Sequence, residues 1–230
     1  MDLRLIAVCL FAAFCPFFSD AADTNLPADA DARNILIDTG IRTKLIATGE
    51  WSKPVSGGHA TRISGRLLVY DGAYFTNEFG KPSWFAAPVF VEITNEIGFP
   101  TQIFFNWEKD AHFELRDVNG KPADDLKQHG GSGYKPLDPA WGTVPADGVL
   151  RWRANGNVET IHLGREHPIP GGLSLFFDSS GGWLIPAGDT NAYFLSATIS
   201  PQPTNSSPDS SAVWQATLVF PAVKLSAVRH

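Results

Sequence analysis

Cysteine is absent from all but the first 21 residues of this 230-residue chain. Cys9 and Cys15 both lie in an apolar run, Leu5 to Phe18, which has the length of a signal-peptide core and is followed by the small residues that signal peptidase requires. The pattern predicts a signal peptide over residues 1–21 and a mature chain that starts at Ala22. The mature protein would enter a disulfide-permissive compartment with no cysteine, so its core must be held by burial alone.

The apolar run is too short to be retained in a membrane. A membrane-spanning helix needs about 20 apolar residues, whereas this run ends in Pro16 and two phenylalanines, with Ser19 and Asp20 after it. A lipid anchor at Cys15 is disfavoured because Phe14 occupies a position where a small residue is expected. The sequence therefore predicts a secreted or periplasmic protein with no transmembrane anchor after cleavage.

Clusters of basic residues are also missing. The full chain has 18 basic and 24 acidic residues, and the first 21 residues contain Arg4, Asp2 and Asp20. The mature chain therefore has 17 basic and 22 acidic residues, a net charge of −5. A mildly acidic surface repels phosphate backbones, which argues against nucleic acid as a partner.

No window of 11 or more residues has the periodicity of an amphipathic helix, and apolar residues instead alternate at period two. With 21 glycines and 17 prolines between the alternating runs, this pattern predicts an all-β protein, an antiparallel immunoglobulin-like β-sandwich with long irregular loops. The predicted strands lie at Ile35 to Asp38, Thr43 to Thr48, Thr61 to Tyr70, Val89 to Thr94, Thr101 to Asn106, Ala111 to Arg116, Leu150 to Arg153, Val158 to Leu163, Leu173 to Phe177, Asn191 to Ile199 and Val213 to Leu225.

Alternation also assigns strand faces. Trp152 alternates with Arg151 and Arg153, and Trp214 alternates with Gln215 and Thr217, so both tryptophans are expected in the core and both arginines in solvent. Residues 22–230, about 209 in number, suffice for one large sandwich or for two small β subdomains, and chain length does not choose between them.

Two turns resemble each other. Val144-Pro145-Ala146-Asp147-Gly148 and Ile185-Pro186-Ala187-Gly188-Asp189 each lead into a predicted strand. Proline is suited to a strand end and glycine to a chain reversal, so the similarity is explained by a duplicated unit or by the same turn chemistry arising twice, and the second explanation is favoured.

Three segments do not fit the strand pattern: Asp71 to Pro88, Asn119 to Gly148 and Ser200 to Ser211. The second is 30 residues long, far beyond the usual connection, and such loops are either functional or disordered. Its Tyr134 and Trp141 argue against complete disorder, which makes it the best place to look for a site.

Catalytic motifs are incomplete. Ser132 in Gly130-Gly131-Ser132-Gly133-Tyr134 is not followed by the last glycine of a nucleophile elbow. His162 and His167 resemble an inverted zinc-protease motif, but the spacing is one residue too long and Gly164 opposes a helix. The sequence therefore predicts no enzyme, no metal site and no cofactor.

Oxygen-donor residues near one turn offer a weaker possibility. Asp117, Asn119, Asp124 and Asp125 could form a loose calcium site, but their spacing fits no calcium loop. His112 and Glu114 share one face of a strand, where alternation predicts solvated residues.

Aromatic residues are abundant, with seven tryptophans and sixteen phenylalanines. Aromatic side chains outside the strands can stack on sugars or dock a partner. The candidate ligand-binding residues are Tyr74, Trp84, Tyr134 and Trp141, and the competing interpretation is that Trp84 and Trp141 are loop anchors that pack for stability.

Several segments carry a resemblance to a known group. The segments similar to uncharacterised exported proteins of Planctomycetes-type bacteria are Gly49 to Ser52, Gly65 to Gly72, Glu114 to Pro122, Ile185 to Thr190 with Tyr193 to Ser196, and Trp214 to Leu218 with Pro221 and Val223 to Leu225. The resemblance implies export and an immunoglobulin-like β architecture, and it transfers no functional residue.

We therefore expect a non-catalytic binding or structural module of the cell envelope, whose partner is a protein or an envelope glycan. Two alternatives stay open at this point. The first is a carbohydrate-binding module that uses the aromatic candidates as stacking platforms. The second is a secreted protease inhibitor that presents the loop over residues 119–148.

Overall fold

The computed structural model describes residues 34–36, 42–57, 62–76, 82–96, 98–123, 134–135, 140–154, 157–158, 172–177, 181–201 and 214–226. These residues form antiparallel strands and a single helical turn, α1 (Trp107–Asp110), which confirms the predicted all-β class. The strands are β1 (Asn34–Leu36), β2 (Arg42–Thr48), β3 (Val55–Ser56), β4 (Arg62–Tyr70), β5 (Ala73–Thr76), β6 (Pro82–Phe85), β7 (Val89–Asn95), β8 (Thr101–Phe105), β9 (Ala111–Asp117), β10 (Tyr134–Lys135), β11 (Ala140–Val144), β12 (Val149–Arg153), β13 (Asn157–Val158), β14 (Leu173–Phe177), β15 (Gly181–Ile185), β16 (Tyr193–Ile199) and β17 (Leu218–Leu225).

The largest sheet has the strand order β1-β2-β4-β7-β12, and β3 also pairs with β4. Its register places Leu67 of β4, Val91 of β7 and Trp152 of β12 in one row. All three side chains are buried, as the alternation predicts. One face of this sheet therefore forms half of the hydrophobic core.

A second layer supplies the other half of the core. It contains the sheet β17-β16-β9, and the two-stranded pairs β8–β11 and β14–β15 add buried side chains to the same core. The layers meet closely at Gly65 of β4, where a Cβ atom would lie 2.5 Å from Cε1 of Phe220 on β17. Phe113 of β9 and Phe177 of β14 stack with ring centroids 3.9 Å apart. Side chains from both layers form one buried cluster, so the described strands form a sandwich-like fold. The immunoglobulin-like subdivision stays a prediction.

The predicted strands agree with the structure where the period-two signal is long. The predicted strands Val89 to Thr94 and Ala111 to Arg116 each end one residue before the observed strand, whereas β17 starts at Leu218, five residues later than predicted. The structure also contains strands in segments expected to be irregular, namely β5, β6, β10 and β11. Each is only two to five residues long, too short for alternation to stand out from the neighbouring glycines and prolines.

The two similar turns have the same geometry. Gly148 N–H donates to Pro145 O and Asp189 N–H donates to Pro186 O, at 3.3 and 3.1 Å. The third turn residue has positive φ in both, 52° for Asp147 and 78° for Gly188. This conformation favours glycine, aspartate or asparagine. This shared geometry is expected both from turn chemistry that arose twice and from a duplicated unit, so the choice between them stays a prediction.

One predicted exposure is wrong. Arg151, expected in solvent, is 8% exposed, and Glu92 of the neighbouring strand is 2% exposed. Their side chains are ion-paired on the sheet face opposite to the core. Side chains on both faces of the sheet are buried here. Alternation of apolar and polar residues does not distinguish a buried ion pair from solvated charges.

Among the described residues no helix is long and apolar enough to cross a membrane.

Candidate functional site

The four predicted ligand-binding residues do not form one described group. Tyr74 and Trp84 are register partners in the β5–β6 hairpin, so the backbone brings these two positions together. Tyr134 is the register partner of Val158 in the β10–β13 pair. The side chains of Tyr74, Trp84 and Tyr134 lie outside the described residues. Trp141 is the one candidate whose side chain the structure describes.

Trp141 lies on an exposed strand face. It occupies β11, not the irregular loop expected from the sequence, and its side chain is 45% exposed. Its register partner on β8 is Phe104, and the two rings are in tilted contact with centroids 5.0 Å apart. The next partners on this face are Gln102 and Thr143, both exposed. We call Gln102, Phe104, Trp141 and Thr143 the Trp141 surface.

The opposite face of the same strand pair anchors the Trp141 surface to the core. Ile103, Phe105 and Val144 are fully buried. Phe105 contacts Trp152 of β12 edge to face, with ring centroids 5.0 Å apart. At Gly142 a Cβ atom would lie 2.7 Å from Cζ3 of Trp152, so the backbone of β11 lies directly against the core. The Trp141 indole is therefore an exposed ring on a rigid support.

Trp51 is a second exposed tryptophan, but it has an intramolecular partner. Its side chain is 38% exposed, and its ring lies 4.5 Å from Cζ of Arg66. Arg66 donates through Nε to Glu92 at 2.6 Å, and Arg151 donates through its own Nε to the other oxygen of the same carboxylate at 2.9 Å. Register places the three charged residues in one row across β4, β7 and β12. Trp51 thus covers a structural ion-pair row, in contrast to Trp141.

A cleft of about 290 Å³ among the described residues is another feature that could bind a ligand. Its walls come from β9 and the turn after it, and from β15, the turn after β15 and the start of β16. Asp117, Lys121, Asp189 and Tyr193 supply its charged and hydroxyl groups, while leucine, proline and alanine side chains supply apolar walls. We call it the polar cleft.

Local backbone structure fixes both carboxylates of the polar cleft. Asp117 Oδ1 accepts from the backbone N–H groups of Asn119 and Lys121, at 2.8 and 2.9 Å. Asp189 Oδ1 accepts from Asn191 N–H at 2.8 Å, and its Oδ2 accepts from the Tyr193 hydroxyl at 2.8 Å. Tyr193 and Asp117 are also register partners on β16 and β9. The polar groups are therefore positioned by the fold.

These hydrogen bonds shift two pKa values in opposite directions. The Asn191 N–H, and after it the Tyr193 hydroxyl, hold the pKa of the Asp189 carboxyl below its ordinary value of 3.8. The hydrogen bond to Asp189 raises the pKa of Tyr193 above its ordinary value of 10.0. At neutral pH the pair is a carboxylate and a neutral phenol, which offers hydrogen-bond acceptors and a polar hydroxyl group.

The residues considered for a metal are only partly described. Asp117 uses one oxygen in the turn just described, His112 is exposed and Glu114 is ion-paired with Arg116. Asp124, Asp125, His162 and His167 lie outside the described residues, as do Ser132 and His129. Within the described ranges, no three His, Cys, Asp or Glu side chains are grouped as metal ligands.

Several functional candidates were not identified from sequence. Phe104 lies in Ile103-Phe104-Phe105, where three consecutive apolar residues hide which ring is outside. The polar cleft joins residues 117–123 to residues 184–193, and no local pattern could predict that proximity. The available signals were Asn119-Gly120 and Pro186-Ala187-Gly188-Asp189, which indicate turns and not a shared cleft.

Comparisons with known protein families, curated proteins and solved structures find no match.

Proposed function

We propose that the protein is a non-catalytic, extracytoplasmic binding module that docks a protein of the cell envelope through the Trp141 surface. The observation that carries the proposal is the exposed Trp141 indole on a strand pair whose other face is core. Tryptophan is among the residues most enriched at the energetic centres of protein interfaces. The other exposed tryptophan, Trp51, differs because its ring packs over Arg66.

The composition of the Trp141 surface also favours a protein partner. Phe104 and Trp141 are inclined by 52°, so together they make a compact apolar projection and not two coplanar platforms. Gln102 and Thr143 beside them provide polar groups for the edge of an interface. An apolar centre with a polar rim is the usual arrangement of a recognition surface.

Binding of an envelope glycan is the second candidate. A single exposed indole can stack on a sugar ring, and the amide of Gln102 and the hydroxyl of Thr143 can hydrogen-bond its hydroxyls. The predicted protease-inhibitor role depends on the loop over residues 119–148, of which residues 140–144 form strand β11 paired with β8. No observation on that segment favours inhibition over the other two roles.

The test is co-sedimentation of the purified mature protein with the insoluble envelope fraction of the bacterium that makes it. We expect saturable binding that Trp141→Ala weakens at least about tenfold, as expected for a central interface tryptophan. Trp51→Ala is the matched control, because it removes another exposed indole and should leave binding unchanged. Absence of saturable binding, or equal loss in both variants, would contradict the proposal.

Treatment of the envelope fraction distinguishes the two partners. Protease digestion should abolish binding if the partner is a protein, and periodate oxidation of sugar diols should leave it intact. The reverse result would support the glycan candidate.

A further inference from the structure

We propose that the polar cleft is a binding site for a neutral polyhydroxy ligand of monosaccharide size. This site is separate from the Trp141 surface in its residues, since it is formed by β9, β15, β16 and their turns. Trp141, the aromatic candidate whose side chain the structure describes, is not among its lining residues.

The charges of the cleft select the class of ligand. Asp117 and Asp189 place two carboxylates on it, which oppose an anion. Lys121 places an ammonium group on the same cleft, which offsets one of the two negative charges. A hydroxyl group donates to a carboxylate and accepts from an ammonium. A ligand with several neighbouring hydroxyls can therefore hydrogen-bond to both the carboxylates and the ammonium, whereas an anion or a cation is attracted to only one of these kinds of group.

Hydrogen-bonding capacity remains in the cleft after the internal bonds are counted. Asp117 Oδ1 accepts two backbone hydrogen bonds, and within the described part of the chain its Oδ2 accepts none. Lys121 makes no ion pair within the described part either. Each oxygen of Asp189 accepts one bond and has a further lone pair. A bound hydroxyl could thus be satisfied without breaking an internal bond.

The two similar turns show that the Asp189 carboxylate is not needed to make its turn. Gly148 occupies the position equivalent to Asp189, and its turn closes with the same backbone hydrogen bond. Asp189 therefore adds a carboxylate to the cleft wall that the reversal of the chain does not require.

Size and apolar surface fit a single sugar ring. The volume of about 290 Å³ is near the lower end of ligand pockets, which range from about 300 to 1,000 Å³. Leu115 and Pro186 line it beside the Tyr193 ring. Such side chains can contact the C–H face of a pyranose while the carboxylates bind its hydroxyls.

The test is titration of the mature protein with glucose, galactose, mannose and N-acetylglucosamine, followed by NMR or calorimetry. We expect saturable binding of at least one sugar, weakened about tenfold or more by Asp189→Asn and by Asp117→Asn, because each loses a charge-assisted hydrogen bond. Asp147→Asn makes the same chemical change in the other turn and should leave binding unchanged. Trp141→Ala should also leave it unchanged, which separates this site from the proposed docking surface.

Three outcomes would overturn the inference. The first is no saturable binding of any of the four sugars. The second is binding that Asp117→Asn and Asp189→Asn leave unaltered while the thermal midpoints show that both variants are folded. The third is saturable binding of Ca²⁺ or of free arginine in place of the sugars.

Discussion

Glu92 of β7 and Arg151 of β12 are register partners whose side chains form an ion pair on the sheet face opposite to the core, and both are almost completely buried. Arg66 of β4 binds the second oxygen of the same carboxylate. A buried charge that loses its partner is strongly destabilising, whereas an exposed ion pair contributes little.

Removal of the buried arginine should therefore destabilise the fold. We expect Arg151→Ala to lower the free energy of unfolding by about 3–5 kcal/mol, because it leaves Glu92 with one buried partner fewer. Arg62→Ala, which breaks the exposed pair with Glu96, should cost no more than about 1 kcal/mol. Urea denaturation of both variants measures the difference. Equal and small effects would show that the row of charges is hydrated.

Replacing a core tryptophan should lower the free energy of unfolding more than replacing an exposed one. Trp152→Ala and Trp214→Ala each remove a buried ring and should cost about 3–5 kcal/mol. Trp51→Ala removes a cation–π contact with Arg66, and Trp141→Ala removes a ring contact with Phe104. Each should lower the free energy of unfolding by only about 1 kcal/mol. Chemical denaturation of the four variants tests this order, and a Trp141→Ala variant as unstable as Trp152→Ala would mark Trp141 as a packing anchor.

Contact between the two layers depends on a glycine. Gly65→Ala should destabilise the sandwich by about 1–3 kcal/mol, because the new methyl group would overlap the Phe220 ring. Phe220→Leu shortens that side chain, so the double variant should cost less than the sum of the two single variants. Gly98→Ala, which meets no atom within 4 Å, is the control. Additive effects in the double variant would contradict the close approach of the layers.

Acid should remove a stabilising interaction at the polar cleft. The pKa of Asp189 is lower in the folded protein than its ordinary value of 3.8, because Asn191 N–H and the Tyr193 hydroxyl donate to it. A lowered carboxyl pKa contributes stability above 3.8 that is lost as pH falls through the folded value. The thermal midpoint of the wild type should therefore fall more steeply with acid than that of Asp189→Asn. Parallel curves for the two proteins would contradict this coupling.

The sequence predicted the strands whose environment differs between their two faces. β9 and the core positions of β7 and β12 were predicted because period-two patterns mark the side of a strand that faces the core. Arg151 was assigned to solvent because alternation reports polarity and not burial. β11 was missed because its five residues include Gly142 and are followed by Pro145, so no period-two alternation is visible in it.

The candidate sites depend more on long-range proximity than the strands do. Trp141 was predicted as a ligand-binding candidate because it is an aromatic residue in a segment without strand periodicity, but its pairing with Phe104 follows from the register of β8 and β11. The polar cleft brings Asp117 beside Tyr193, residues that are 76 positions apart, through the register of β9 and β16. Such pairings result from the packing of the whole chain and have no local sequence signal.

The most direct test of the proposed docking role is a binding titration against the insoluble envelope fraction with wild type, Trp141→Phe and Trp141→Ala, each confirmed as folded by its thermal midpoint. The proposal predicts that affinity falls in that order, because phenylalanine keeps part of the exposed ring and alanine removes it. Three superimposable binding curves would contradict it, since the described tryptophan that is exposed without a cation–π partner would then take no part in recognition.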